Sequence, residues 1–223
     1  MPEWWTYGLS DFLLFSPRTY YRMLELHNEA VWPVQILTLG LGLTILGLLR
    51  RPTSGQSRIV STIVAGLWAW VAWSFFLTRY ATINWAAAYF AVLFSIEALL
   101  FIWIGIVGGR LRYHVSRKAA GGPGIALLVL GLVIYPVLAP LLGRPWRQTE
   151  IFGVFPDPTV IATAGLLLLA NGPPRGGLLI VPLLWCGVTG ATLWAMGSAE
   201  AIVAPMAALL AVAVATRART SVA

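Results

Sequence analysis

Glu97 is the side chain best placed to do chemistry, because it interrupts the apolar run of residues 83–107. That run is long enough to cross a bilayer, which takes about 20 residues. An ionisable group at membrane depth is costly and usually faces a partner or a water-filled cavity. In a helix that starts near Asn84, Glu97 would lie roughly 20 Å from the outer end. The pattern predicts either a proton or cation site, or a hydrogen-bonded glutamate that clamps helices together.

A second set of polar and aromatic residues lies at helix ends that we assign to one side of the membrane. The set comprises Glu25, His27, Asn28, Glu29, Trp32 and Gln35, then Arg79, Tyr80, Asn84 and Tyr89, then Trp146, Arg147, Glu150 and Asp157. A shared side would let them form a vestibule for a small polar or ionic ligand. The simpler interpretation is an ordinary membrane interface, where charged and aromatic residues collect in any case.

The stretch Pro-Asp-Pro-Thr at residues 156–159 could also carry a site. Asp157 before Pro158 predicts a helix N-cap followed by proline at the first helical position. The apolar segment that begins at Thr159 and ends near residue 171 is short for a membrane span. Transporters often place substrate sites at short or broken helices, although an ordinary helix start explains the motif as well.

Several chemistries are excluded by composition. The histidines are His27 and His114, both outside the predicted spans, so we expect no haem held in the bundle and no serine–histidine dyad. Glu25, His27 and Glu29 have the wrong spacing to share one helix face, so no metal site is predicted. We also find no phosphate-binding loop and no catalytic group, and we predict no cofactor.

The hydropathy pattern predicts an all-α integral membrane protein, because 59% of the residues are hydrophobic and only 10% are charged. We expect residues 1–30 to be an interfacial amphipathic segment, with Ser16 as N-cap and Pro17 as the first helical residue. Residues 31–217 form a single bundle of about seven transmembrane helices, and residues 218–223 form a short tail. The predicted spans are 31–49, 59–77, 83–107, 125–142, 159–171, 178–196 and 201–215.

The charges predict the orientation of this bundle. With seven spans and the N-terminus outside, the cytoplasmic segments hold ten of the 15 lysines and arginines and none of the acids. That is a strong positive-inside pattern, with the C-terminus in the cytoplasm. The net charge of +7 therefore indicates membrane topology and contact with anionic lipids rather than nucleic-acid binding.

Three stretches carry a resemblance to a known family. They are Asn28 with Trp32 and Pro33, residues 83–86 (Ile-Asn-Trp-Ala), and residues 156–159 (Pro-Asp-Pro-Thr). In these and over nearly its whole length, the chain resembles an uncharacterised bacterial membrane-protein family, a domain of unknown function whose members are sometimes labelled permease. The resemblance implies a protein of the bacterial inner membrane and supplies no substrate.

Our leading hypothesis is a small permease or channel for a small solute or ion, with Glu97 as the candidate residue for proton coupling, and we favour this role over that of an enzyme. The candidate pathway residues are Glu97, Asn84, Tyr89, His27, Glu25, Asn28, Trp32, Asp157 and Thr159. A chain this small would need to dimerise to form a symmetric pathway. The alternatives are a membrane-embedded enzyme that acts on a lipid at the outer interface and a non-catalytic subunit of a membrane complex.

Overall fold

The computed structural model of the chain describes residues 13–50, 53–115, 120–171 and 175–220, which form an all-α bundle with one very short strand pair. The helices in these ranges are α1 (Pro17–Ala30), α2 (Val34–Leu48), α3 (Ser54–Thr82), α4 (Ala87–Val107), α5 (Gly121–Leu141), α6 (Pro156–Leu169), α7 (Gly176–Ala195) and α8 (Ala199–Arg217). Two strands of two residues, β1 (Arg112–Tyr113) and β2 (Ala170–Asn171), pair antiparallel.

The prediction of about seven transmembrane helices is wrong in its count. Among the described residues, five helices (α3, α4, α5, α7 and α8) are long and apolar enough to cross a membrane, or six if α1 and α2 count as one broken span. The count differs because two of the predicted spans form helices that are too short to cross the membrane. Helix α2 has 15 residues and is bent by 86° from α1, and α6 has 14 residues, so each is about 21–23 Å long against a hydrocarbon core of about 30 Å.

Helix α1 confirms the predicted start of the N-terminal amphipathic helix. Ser16 is the N-cap, its hydroxyl accepts a hydrogen bond from the Thr19 amide, and Pro17 is the first helical residue. One face of α1 is buried through Tyr20 and Leu24, among others, while Arg18 and Arg22 are exposed. Residues 1–12 of the predicted interfacial segment lie outside the described residues.

Helix α6 occupies the centre of the bundle. All 14 of its residues are buried, and it contacts α3, α5, α7 and α8. A helix that is apolar on every side is stable only when other helices surround it, which explains the run of alanines and leucines after residue 159. Its polar side chains, including Asp157 and Thr163, must therefore find partners inside the protein.

Glycines let α5 and α6 approach closely. A Cβ added at Gly165 would lie 2.6 Å from the Gly124 carbonyl oxygen, and one added at Gly131 would lie 2.4 Å from the Pro158 carbonyl oxygen. Small residues of this kind allow helix backbones to touch in membrane proteins. Because Gly124 faces the end of α6 and Gly131 faces its start, the two helices run antiparallel.

The bundle therefore has two ends with different chemistry. At the first, which we call the Asp157 end, the start of α6 meets the second half of α5 and of α7. An ion pair at this end joins Arg144, which follows α5, to Glu200 at the start of α8. At the second, the Tyr113 end, the chain after α4 pairs with the chain after α6, and the amide of Tyr113 donates to the hydroxyl of Ser57 near the start of α3. Helix α6 joins these two ends.

Candidate functional site

Glu97 is fully buried inside the bundle, on the face of α4 that packs against α3. One turn before it, Phe94 packs on Trp68 with ring centroids 4.4 Å apart. Two turns after it, Gly105 lies so close to Ser61 that a Cβ there would meet the hydroxyl oxygen at 2.3 Å. Neither carboxyl oxygen of Glu97 has a hydrogen-bond partner among the described residues. Such unsatisfied buried groups are rare in native proteins and call for an explanation.

A pair of hydroxyl groups, on Tyr113 and Ser61, lies beside the same face of α4. Their side-chain oxygens lie 3.1 Å apart in a buried hydrogen bond, and the Ser61 hydroxyl also donates to the Ser57 carbonyl oxygen. The pKa of Tyr113 is raised by burial first and also by the charge of Glu97, while the Ser61 hydrogen bond lowers it. Glu97 therefore lies within electrostatic reach of a hydroxyl pair at the Tyr113 end.

Asp157 forms a second buried acidic site at the start of α6. Its Oδ1 accepts a hydrogen bond of 2.7 Å from the Trp185 indole N–H. Its Oδ2 accepts hydrogen bonds from the Thr189 hydroxyl at 2.7 Å and from the Tyr135 hydroxyl at 2.9 Å. Because these donors come from α5 and α7, Asp157 ties three helices together. The prediction that Asp157 caps its own helix is wrong: Phe155 is the N-cap, and no side chain caps the helix start.

Two further buried acids lie close enough to Asp157 for their charges to interact. Glu200 forms an ion pair with Arg144, whose guanidinium also stacks on the Tyr21 ring, 4.4 Å from the ring centroid. Glu150 is buried in the loop before α6, and its Oε1 has no partner among the described residues. Burial raises the pKa of Glu150 well above its usual range; Asp157 and Glu200 raise it further, whereas Arg144 lowers it.

The structure joins the predicted vestibule residues in small groups, one of which links Asn28 with Gln35 and Arg147. Asn28 donates hydrogen bonds to the carbonyl oxygens of Arg147 and Thr149, so it fastens α1 to the loop before α6. Asn84 donates to the Tyr80 hydroxyl and caps its own turn. Trp32 and Tyr89 lie on the outside of the bundle, with 66% and 65% of their surfaces exposed.

The remaining candidates also have separate surroundings. His27 is buried between the rings of Phe75 and Phe155, at centroid distances of 5.6 and 5.2 Å, and so is not at an entrance. Glu25 pairs with Arg22 at 3.0 Å. Thr159 is buried, and its hydroxyl accepts from the Gly153 amide and donates to the Phe155 carbonyl oxygen. In the part of the chain that the structure describes, no group of three acidic, histidine or cysteine side chains could hold a metal ion.

Sequence reasoning missed four side chains that complete the Asp157 end, namely Tyr135, Arg144, Trp185 and Thr189. Three of them sit in apolar helices, where one aromatic or hydroxyl residue is ordinary. A buried aspartate needs several hydrogen-bond donors. The polar side chains within the other apolar helices were therefore the one sequence signal that pointed to these partners.

This fold is that of an all-α protein whose long apolar helices are compatible with a multi-pass membrane protein. The chain belongs to a family of unknown function, DUF6064, whose model matches residues 18–222. No curated protein and no solved structure matches the chain.

Proposed function

We propose that this chain is a small multi-pass permease of the bacterial inner membrane that moves a small solute or ion together with protons. Glu97 is the proton-binding residue of this proposal. The observation that carries it is the burial of Glu97 without a hydrogen-bond partner for either carboxyl oxygen among the described residues. Acids at membrane depth commonly mark proton relays and ion pathways.

The comparison between Glu97 and Asp157 supports this assignment over a purely structural one. Asp157 shows what a structural acid in this protein has, namely three side-chain donors from two other helices. A glutamate that clamps helices would need at least one such donor. Glu97 has none in the described ranges, so it costs stability without returning a hydrogen bond. A role in binding and releasing a proton would explain why a glutamate occupies this costly position.

The distribution of charge supports the orientation, with the N-terminus outside and the C-terminus in the cytoplasm. Buried acids collect at the Asp157 end, where Glu150 and Glu200 lie near Asp157. Arg110 and Arg112 flank the Tyr113 end, which faces the cytoplasm in this proposal because short cytoplasmic loops favour arginine and lysine. Dimerisation remains part of the proposal, since a bundle of this size forms a symmetric pathway most simply by pairing with a second copy.

A membrane enzyme that uses Glu25, His27 and Asp157 has weaker support. His27 is enclosed by two phenylalanine rings, and both Asp157 oxygens are engaged by donors. Neither group is free to reach a substrate at the interface in this conformation.

The proposal is tested with purified protein in liposomes that contain a pH-sensitive dye. Wild type is exposed to a panel of small ions and solutes, and solute-dependent proton movement is recorded. We expect Glu97→Gln to abolish that movement, because the amide cannot release a proton. Glu29→Gln is the matched control, since Glu29 lies on the exposed side of α1 and undergoes the same chemical change.

Glu97→Gln should also fold, because the change removes no hydrogen bond to a described residue. Thermal unfolding within about 2 °C of wild type would show that lost flux is not lost structure. Full solute-dependent proton movement by the folded Glu97→Gln variant would refute the role of Glu97.

A further inference from the structure

A groove with three arginines lies between α1 and the end of α3. Its volume is about 330 Å³, which falls in the size range of small-molecule sites. The groove combines cationic and apolar walls, formed by Arg18, Arg22 and Arg79 and by Met23, Leu26 and Ile83. Its mixed character suits a ligand with a charged head and an apolar body.

The arginines of this groove have more positive charge than the described acids neutralise. Arg18 and Arg22 are one turn apart on α1 and so lie on the same face. Arg22 pairs with Glu25, but Arg18 and Arg79 form no ion pair with any described acid. The Nε–H of Arg79 is buried and has no hydrogen-bond partner in the described ranges. An unpaired buried donor on a guanidinium is costly unless an anion binds there.

A second groove shares two of these arginines but is less suited to an anion. It is lined by Arg18, Tyr21, Arg22, Glu25 and Gln148 and has a volume of about 480 Å³. The Glu25 carboxylate in its wall repels negative charge. Among the described residues, the lining of the groove beside Arg79 contains no acid, and the Thr19 hydroxyl lies in it beside the arginines.

We propose that the groove beside Arg79 binds the phosphate headgroup of an anionic phospholipid. Guanidinium groups match the geometry of phosphate oxygens and form charge-assisted hydrogen bonds with them. Helix α1 is amphipathic and exposes its arginines, as helices that lie at a membrane surface do. The phosphate contacts the three arginines, and the first part of the acyl region lies against Met23, Leu26 and Ile83. This site is independent of Glu97 and adds a binding site to the proposed function.

The experiment uses the full chain in detergent and counts bound lipid by native mass spectrometry. Short-chain phosphatidylglycerol, phosphatidylcholine of the same chain length and inorganic phosphate are titrated separately. The double variant Arg18→Gln/Arg79→Gln removes the two charges that form no ion pair with a described acid. Arg147→Gln is the matched control, because Arg147 is an exposed arginine near the Asp157 end whose partner is Glu29, outside the groove.

We expect one phosphatidylglycerol to bind wild type and Arg147→Gln, and its affinity to fall at least tenfold in the double variant. Binding to wild type should also weaken at about 1 M salt, where the Debye length is about 3 Å. The salt arm tests the site even if the double variant does not fold. Equal binding of phosphatidylcholine, or unchanged phosphatidylglycerol binding by a folded double variant, would overturn the proposal. Displacement of the lipid by millimolar inorganic phosphate would assign the site to a free anion and reject the lipid.

Discussion

Replacing Asp157 with alanine tests whether this buried acid holds the bundle together. The change leaves three donors, on Tyr135, Trp185 and Thr189, without their acceptor. An unpaired buried donor costs about 1 kcal/mol or more, which gives about 3 kcal/mol for the three. Interhelical hydrogen bonds in a membrane protein average about 0.6 kcal/mol, which gives about 2 kcal/mol. We therefore expect Asp157→Ala to lower the free energy of unfolding by about 2–3 kcal/mol.

A double-mutant cycle isolates one of these bonds. Thr189→Val keeps the shape of the side chain and removes the hydroxyl that donates to Asp157. Unfolding is measured in detergent for the single variants and the pair, and we expect a coupling energy of about 0.6–1 kcal/mol. Thr192→Val is the control, because its hydroxyl donates to the Val188 carbonyl oxygen in its own helix. Coupling to Asp157→Ala that is equal at Thr189 and Thr192 would refute the assignment of Asp157 as a helix tie.

Two further changes test packing and charge. Gly165→Ala should destabilise the protein by about 1–3 kcal/mol in thermal unfolding, because its Cβ would meet backbone atoms of Gly124 and Leu128 at 2.6 Å. Gly122→Ala, which meets no atom within 4 Å, should be neutral or stabilising; equal losses at both sites would contradict close α5–α6 packing. Because burial raises the pKa of Glu150 in the folded state, the fold keeps a proton that the unfolded chain releases, and stability falls as pH rises above about 4. Glu150→Gln should flatten that decline in melting curves recorded from about pH 5 to 8, and an unchanged slope would contradict it.

Local signals in the sequence were enough to predict α1 and the position of Glu97. The Ser16–Pro17 start was predicted because a cap depends on residues within one turn, and the structure confirms it. The burial of Glu97 was predicted because a long apolar run places its middle residues inside the bundle or the membrane. The short length of α6 was also predicted from the sequence. In the structure, the apolar loop before α6 is buried as well, through Phe152 and Phe155.

The partners of the buried acids could not be predicted in the same way. The donors to Asp157 are separated from it by 22 to 32 positions and come from other helices, so only three-dimensional packing brings them together. The count of spans failed for a related reason. Hydropathy measures apolar length, whereas α2 is broken from α1 by a bend of 86° and α6 is a helix of 14 residues, all of them buried.

A layer of aromatic rings lies between the two acidic sites and bears on the proposed mechanism. Phe94, one turn from Glu97, packs against Phe76 at 4.7 Å and against Trp185 at 5.6 Å, and Trp185 in turn donates to Asp157. These rings therefore connect the neighbourhood of Glu97 to the Asp157 end through apolar contacts. The hydroxyls of Tyr113 and Ser61 lie toward the opposite end. Under the proposed function, we therefore expect the Glu97 proton to exchange with the Tyr113 end in this conformation, and we expect a transport cycle to separate the rings of Phe76, Phe94 and Trp185.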